Sequence, residues 1–514
     1  MVANDNLSGG AAARHCAISG TASASLTHNW LRRVSVAFVP GPRTPLLEQI
    51  GERLLGHFRK LGHRTQPAPD DSTDVILTTA RFDEPLGWRK ALLFVARARF
   101  KLAHAPVIYT MVHLTPQVFG RLIEHFRVAL SRDPIRSEDF TFAGLAPQAY
   151  QVLVEQGRRG GPMLALMRLL QAQAKCIRIL LVVGEEQPEA AYHFDLVGGY
   201  PRSDAADPEA FYDDLVLRIV TAVSTHEVTQ HEVVGEPVSR TLWQQLTTPT
   251  AMYTAARELG RRNFFTEAVR IADLVSVPAV SDAVASQYSE GCFATWDPQL
   301  GALIATVTGS ARPVNKGEVT ENDLAVIVGV RPGDDGALVR CVEGKTNNPP
   351  SSEAVEMVEI DRVVPKVILP AASGPPVEVP ALRSKLHGHR GVGAYHPDWV
   401  EYLPLSPAYH HYPVSCATEA QARGIAEAFA RSEALRNPDD PRQVVFTVLP
   451  CHGAVIAERW APGMAPFQLI WEYMDAGYLQ VESTIPQGPM TFVHAPDGRM
   501  RLQVLYDGGQ VGPL

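Results

Sequence analysis

Residues 385–391 read KLHGHRG, and four more histidines follow by residue 453: His396, His410, His411 and His452. Six of the chain's 17 histidines therefore fall in one short stretch. Neutral imidazole joined by carboxylate is a donor set that divalent metals use in sugar and carbonyl chemistry, with positions left open for substrate oxygens. His387 and His389 flank one glycine, so on a strand they share a face. His410 and His411 are adjacent and cannot. His452 stands at the end of an apolar strand pattern, beside Cys451 and before Gly453. That position suits a ligand or a general acid or base. Taken singly, each histidine reads as a hydrogen-bonded structural residue. Taken together, His387, His389 and His452 read as a metal or catalytic element, although neither HExxH nor a second HxH accompanies them.

Acidic and basic candidates lie upstream, in residues 264–317. Glu267 opens a helical stretch, where a carboxylate also simply favours the helix dipole. Glu290 sits in a tight SEGC segment, and Gly291 beside it permits a close backbone approach or a positive φ. Its alternative role is to cap or to pair with Arg312. Ser310, Arg312 and Lys316 alternate along an extended segment and project to one side. They suit a hydroxyl-rich or anionic ligand, or a solvated strand face. Glu353, Glu356 and Glu359 recur at i, i+3 spacing after PPSS, and such an acidic stripe reads as a wet helix face. Cys292 and Cys416 read as small buried packing residues. No GxSxG elbow, phosphate loop or CxxC pair occurs.

These residues must be positioned by several elements. RRVSVAFVPG, DVILTTA and APVIYTMVH read as strands separated by helical segments, the rhythm of a parallel sheet with helices on its faces. The turn after the first strand is PGPRTP, which is no dinucleotide fingerprint. A second α/β unit is expected from about residue 145. In it, helical periodicity breaks at Gly160-Gly161-Pro162, CIRILLVVG and AYHFDLVGG form strands, and a helix begins with Asp207 as N-cap and Pro208 behind it. Helices follow from SRTLWQQL onward. Beyond residue 300, short β-type runs separated by Gly, Pro, Asp and Asn suggest an antiparallel or barrel-like element. The proline-rich 363–380 reads as a linker or an edge crossing. Residues 417–435 form an amphipathic helix with Thr418 as N-cap, and 443–451 and 466–484 supply strands.

The fold class is therefore α/β: two open parallel-sheet, Rossmann-like units followed by a β-rich, mixed C-terminal region. The expected parts are a disordered leader at 1–30, α/β units at 31–144 and 145–300, a β-rich segment at 301–370 and a mixed α/β region at 371–514.

Composition narrows the function classes. Hydrophobic residues make up 46% and charged residues 20% of the 514, as in ordinary globular proteins. The net charge of -8 argues against nucleic-acid or anionic-membrane partners, which need a basic footprint. No apolar run reaches the roughly 20 residues of a membrane helix. Six scattered cysteines and a leader with no continuous apolar core suggest a cytoplasmic protein with reduced thiols. A local basic site can sit in an acidic chain, so a small-molecule substrate is expected, as is a homo-oligomeric state.

This layout resembles the L-fucose/L-arabinose isomerase family, over roughly residues 34–360. The resemblance rests on two consecutive α/β units, a helical stretch with a glutamate loop and a β-rich C-terminal part. It implies a manganese-dependent aldose–ketose isomerase, with zinc or iron as the other candidate metals. Glu267 and Glu290 match the family's two glutamate positions, and YSEGCFAT stands at its Glu-x-Asp loop. The resemblance implies that these residues are the metal ligand and proton-transferring base, completed by a C-terminal histidine. Cys292 replaces the family's metal-binding aspartate, which favours zinc or iron over manganese. Glu290, His387, His389 and His452 are the metal candidates, Glu267 and Glu290 the catalytic ones, and Ser310, Arg312 and Lys316 the substrate-binding ones. Two alternatives remain: a metal lyase with a loose likeness to class II aldolases, using the C-terminal histidines alone, and a non-catalytic binding or scaffold protein with an isomerase-like fold.

Overall fold

The structure, a computed structural model, describes residues 33–41, 44–80, 107–132, 147–174, 176–195, 203–228, 231–267, 270–271, 274, 290–308, 316–332, 336–370, 375–406, 419–449, 452–483, 490–505 and 511–512. The expected leader, Thr418, Ser310 and Arg312 lie outside the described residues.

The chain begins with β1 (Ser35–Val39), α1 (Pro45–Lys60), β2 (Arg64–Gln66), β3 (Val75–Ala80) and β4 (Val107–Leu114). Thr44 caps α1 by accepting from Leu47 N, and proline follows it, as an N-cap followed by Pro should. Next come α2 (Pro116–Leu130), α3 (Pro147–Ala174), β5 (Arg178–Gly184), β6 (Pro188–Phe194), β7 (Ser203–Asp204) and α4 (Pro208–Val228). The expected break in α3 is real: Gly161 takes φ 78°, which favours glycine, and Pro162 follows. Asp207 accepts from Glu209 N and Ala210 N at the head of α4.

These strands form a sheet ordered β2-β1-β3-β4-β5-β6-β7 among the described residues. It is parallel from β2 to β5 and antiparallel at β6 and β7. Strands expected in two successive units thus share one sheet, because Tyr109 of β4 pairs with Arg178 of β5. The near-continuous apolar run of β5 suits a strand covered on both faces, and separate apolar cores lie on each side of the sheet.

A second sheet holds the rest together. Its strands are β8 (Glu232–Val233), β9 (Cys292–Asp297), β10 (Ala302–Thr306), β11 (Leu324–Val330) and β12 (Ala337–Arg340), then β15 (Leu382–Gly388), β17 (Val400–Tyr402), β18 (Val444–Leu449) and β19 (Gly453–Arg459). Their order is β17-β18-β19-β15-β9-β10-β11-β12-β8, antiparallel except at its two ends. The proline-rich linker is a hairpin of β13 (Lys366–Leu369) and β14 (Val377–Pro380). A further small sheet contains β16 (Gly391–Tyr395) and β20 (Leu479–Ser483). The protein is thus mixed α/β with parallel strands and a β-rich C-terminal region. Residues 466–484 are not all strand: Gln468–Asp475 is a helix, and the strand begins only at Leu479.

Strand alternation decides what each face of the second sheet receives. Phe293, Leu386, Ile456 and Phe446 point to one core, with α5 (Arg240–Gln245) and α6 (Thr248–Arg261) packed there. Cys292, Ala294, Leu382, Val455 and Ala457 point to the other, under α7 (Ala354–Val363) and α8 (Glu419–Ala430). α7 ends at Val363, where Pro365 two residues on cannot prolong it. No helix among the described residues is long and apolar enough to cross a membrane.

Candidate metal centre

β15 carries Lys385 and His387 toward α7, while Leu386 between them faces the opposite core. His389 follows the strand end. His452 belongs to the turn joining β18 to β19, where its backbone N–H donates to Leu449 O. Glycine makes this junction possible. A Cβ at Gly453 would stand 2.0 Å from Gly388 O, and one at Gly388 would stand 2.2 Å from the Phe264 ring. The two strand ends can therefore approach as no side-chain-bearing residue would allow. The three imidazole rings consequently gather, with centroids 5.0 Å apart for His387 and His452, 5.1 Å for His389 and His452, and 6.0 Å for His387 and His389.

Glu353, at the head of α7, completes the group. Its Oε1 lies 3.3 Å from His387 Nε2, 3.8 Å from His389 Nε2 and 3.9 Å from His452 Nε2. One ligand atom from each of the four residues lies within 4.8 Å of the others, and all four residues are buried. Donors about 2.0–2.2 Å from one ion stand roughly 3–4 Å apart, so this set fits a single metal ion. Three imidazoles and a carboxylate suit the borderline first-row divalent metals rather than magnesium or calcium.

Burial pushes the Glu353 carboxyl up, but His387 and His389 facing it override that and hold it well below the usual carboxylate range. Burial raises Glu356, and Glu353 adds to the rise, against the pull of His387. Burial lowers His387, yet Glu353 and Glu356 on its two sides carry it well above the ordinary histidine value. Burial, with His387 and His389 nearby, drives His452 well below it.

The sequence candidates separate cleanly. His387, His389 and His452 are brought together. Glu290 is buried at the edge of the group, its Oε1 3.7 Å from His389 Nδ1. Gly291 has φ 63°, and a Cβ there would lie 2.5 Å from His387 O, which confirms the close approach expected of it. Glu267 is buried elsewhere: it accepts from Gln156 Nε2 at 2.7 Å and Arg390 Nε at 3.0 Å, and does not belong to the four-residue group. Lys316 is buried with φ 55°, and its Nζ lies 5.6 Å from the Phe265 ring centroid. Burial lowers its pKa to about 8, against the pull of Cys292, Glu353 and Glu290, so it feels the field of the centre. Cys292 pairs in register with His387, but burial, with Glu353 and Glu356 nearby, raises its thiol well above the usual value. It stays a packing residue, as expected, and is not among the four donors.

Glu353 and Glu356 were not expected here. The stripe read as a wet face is buried at Glu353, Glu356 and Glu359. A signal was present: apolar residues surround α7 on every side, at Ala354, Val355, Met357, Val358 and Ile360, and a helix apolar all round is an interior helix. Its acids then need interior partners: histidines face Glu353 and Glu356, Arg362 faces Glu359 and Lys385 faces Asp361.

No protein-family model, curated protein or solved structure matches this chain.

Proposed function

We propose that this protein is a mononuclear metal-dependent enzyme acting on a sugar or polyol-like carbonyl substrate, in the first instance as an aldose–ketose isomerase. The observation that carries the reading is the single oxygen, Glu353 Oε1, within 3.3–3.9 Å of three imidazole Nε2 atoms. Glu353, His387, His389 and His452 would hold the ion. Manganese is the first candidate, with zinc or iron next. When bound, the ion supplies Lewis acidity that polarises a substrate carbonyl oxygen. Glu290, beside His389, would take a proton from the carbon next to that carbonyl and return it to the carbonyl carbon, while the hydroxyl proton crosses from one substrate oxygen to the other. Lys316 would hold a substrate oxygen through its ammonium group. Glu267, tied to Arg390 and Gln156, is assigned no chemical role.

A metal lyase is the second reading, and one observation favours it. All four donors lie between residues 353 and 452, and none lies in the glutamate region 264–292. The same proton transfer and carbonyl polarisation would then serve carbon–carbon cleavage.

Elemental analysis of the purified protein and of the His387→Ala/His389→Ala variant tests the metal. One equivalent of manganese, zinc or iron, lost in the variant, is the expected result. A metal-free native protein overturns both enzyme readings. Sugars incubated with the loaded protein then separate them: an isomerase interconverts an aldose and a ketose of the same length, and a lyase releases two shorter carbonyl compounds.

A further inference from the structure

We infer that Glu356 and Gln421 form a two-residue clamp that fixes the orientation of His387 and thereby sets the affinity of the metal centre. This rests on the metal reading above and extends it to residues that touch neither ion nor substrate.

The geometry runs outward from the centre. An imidazole can offer only one of its nitrogens to a given ion. His387 Nε2 faces the other donors, 3.3 Å from Glu353 Oε1. Its Nδ1 lies 2.8 Å from Glu356 Oε1, a charge contact rather than an aligned hydrogen bond. The contact holds the Nδ1 edge of the ring against α7 and turns Nε2 toward Glu353. The second oxygen of Glu356 accepts from Gln421 Nε2 at 2.9 Å. Gln421 projects from α8, and Glu356 from α7, so two helices fix the plane of one carboxylate. His387, Glu356 and Gln421 are buried, at 0%, 2% and 1% exposure, so bulk water cannot substitute for a lost partner. His389 is held differently, its Nδ1 3.7 Å from Glu290, beyond direct hydrogen-bonding distance of that carboxylate. Outer partners that orient a ligating histidine typically change metal affinity by about 10- to 100-fold when removed.

Glu356 and Gln421 are positioning residues, and the test uses Co(II) as the probe, added to the full chain stripped of metal. Its d–d absorption reports ligand geometry, and chelator competition gives affinity. The clamp predicts that Glu356→Gln weakens Co(II) binding by about 10- to 100-fold and alters the band shape. Gln421→Ala should weaken it less and in the same direction. The double variant should bind no more weakly than Glu356→Gln alone, because Gln421 acts through Glu356. A purely structural pair would instead lower the melting temperature of the metal-free protein without moving these bands. Wild-type Co(II) affinity in both Glu356→Gln and Gln421→Ala overturns the clamp and leaves the metal reading intact. A wild-type chain that takes up no Co(II) overturns both. Should Glu356→Gln fail to fold, Gln421→Ala decides alone by the same two readouts.

Discussion

Glu267 and Arg390, 123 residues apart in sequence, are bonded Oε1 to Nε at 3.0 Å, and Arg390 immediately follows the ligand candidate His389. Glu267 also accepts from Gln156 of α3, so the buried carboxylate ties α3 to the segment just after β15. Removing one partner of such a pair leaves an uncompensated charge, at a cost of about 3–5 kcal/mol. Glu267→Ala is therefore expected to lose that much stability in urea titration. At low temperature, where it is still folded, it should retain its metal. Loss of the metal from folded Glu267→Ala would instead return Glu267 to the centre.

Lys385 and Asp361 form a second buried pair, Nζ to Oδ1 2.6 Å, one strand position pair back from His387. Burial lowers the lysine and raises the aspartate, and each partner opposes the shift of the other. Asp361→Ala should cost about 3–5 kcal/mol by stranding a buried ammonium. Adding Lys385→Met should recover most of it, because an apolar pair of similar volume is often neutral at such sites. Equilibrium denaturation of the two single variants and the double variant measures the coupling. Simple additivity would show that the pair is not acting as a unit.

The KLHGHRG stretch was legible because strand periodicity alone puts His387 and His389 on one side and because glycine neighbours mark close approaches. Glu290 was found through Gly291 by the same logic. Glu353 and Glu356 were missed because i, i+3 spacing establishes that acids share a face, while whether that face is wet depends on the element packed against it. The parallel rhythm of residues 34–114 and 176–195 was readable from apolar runs and caps. Their union in one sheet was not, since pairing between β4 and β5 is a long-range register that no local pattern encodes. Gln468–Asp475 defeated the strand reading for a related reason: its aromatic residues favour strands intrinsically, and the packing of Leu469 and Ile470 into the core overrides that preference.

Glu458 gives a pH dependence. Burial raises its pKa to about 7, although its carboxylate accepts from the backbone N–H of Phe467 and, at 3.1 Å, of Leu469. The folded value lies above the unfolded one near 4.5, so the native state holds a proton that the unfolded chain releases between those pH values. Stability from this group is present below about pH 4.5 and is lost as pH rises toward 7, by roughly 3 kcal/mol in all. Urea midpoints at pH 5 and pH 8 should differ less in Glu458→Gln than in the native chain. An unchanged difference would remove Glu458 from this role.

Gly453→Ala tests the strand junction. The added methyl would meet the carbonyl oxygen of Gly388 at 2.0 Å, and that neighbour is backbone, which cannot rotate away. The expected result is a loss of at least about 1–3 kcal/mol, together with a fall in bound metal as His452 is pushed from its companions. Calorimetry and elemental analysis of the same sample would show both, and full metal content would mean that the turn relaxes without moving His452.

The donors come from three separate stretches, Glu353 on a helix head, His387 and His389 at a strand end and His452 in a turn, and they meet only once β9, β15 and β19 lie side by side. An unfolded chain cannot present them at one point. Any metal uptake at this group would thus have to follow assembly of the sheet rather than nucleate it, and would report that β9, β15 and β19 have found their register.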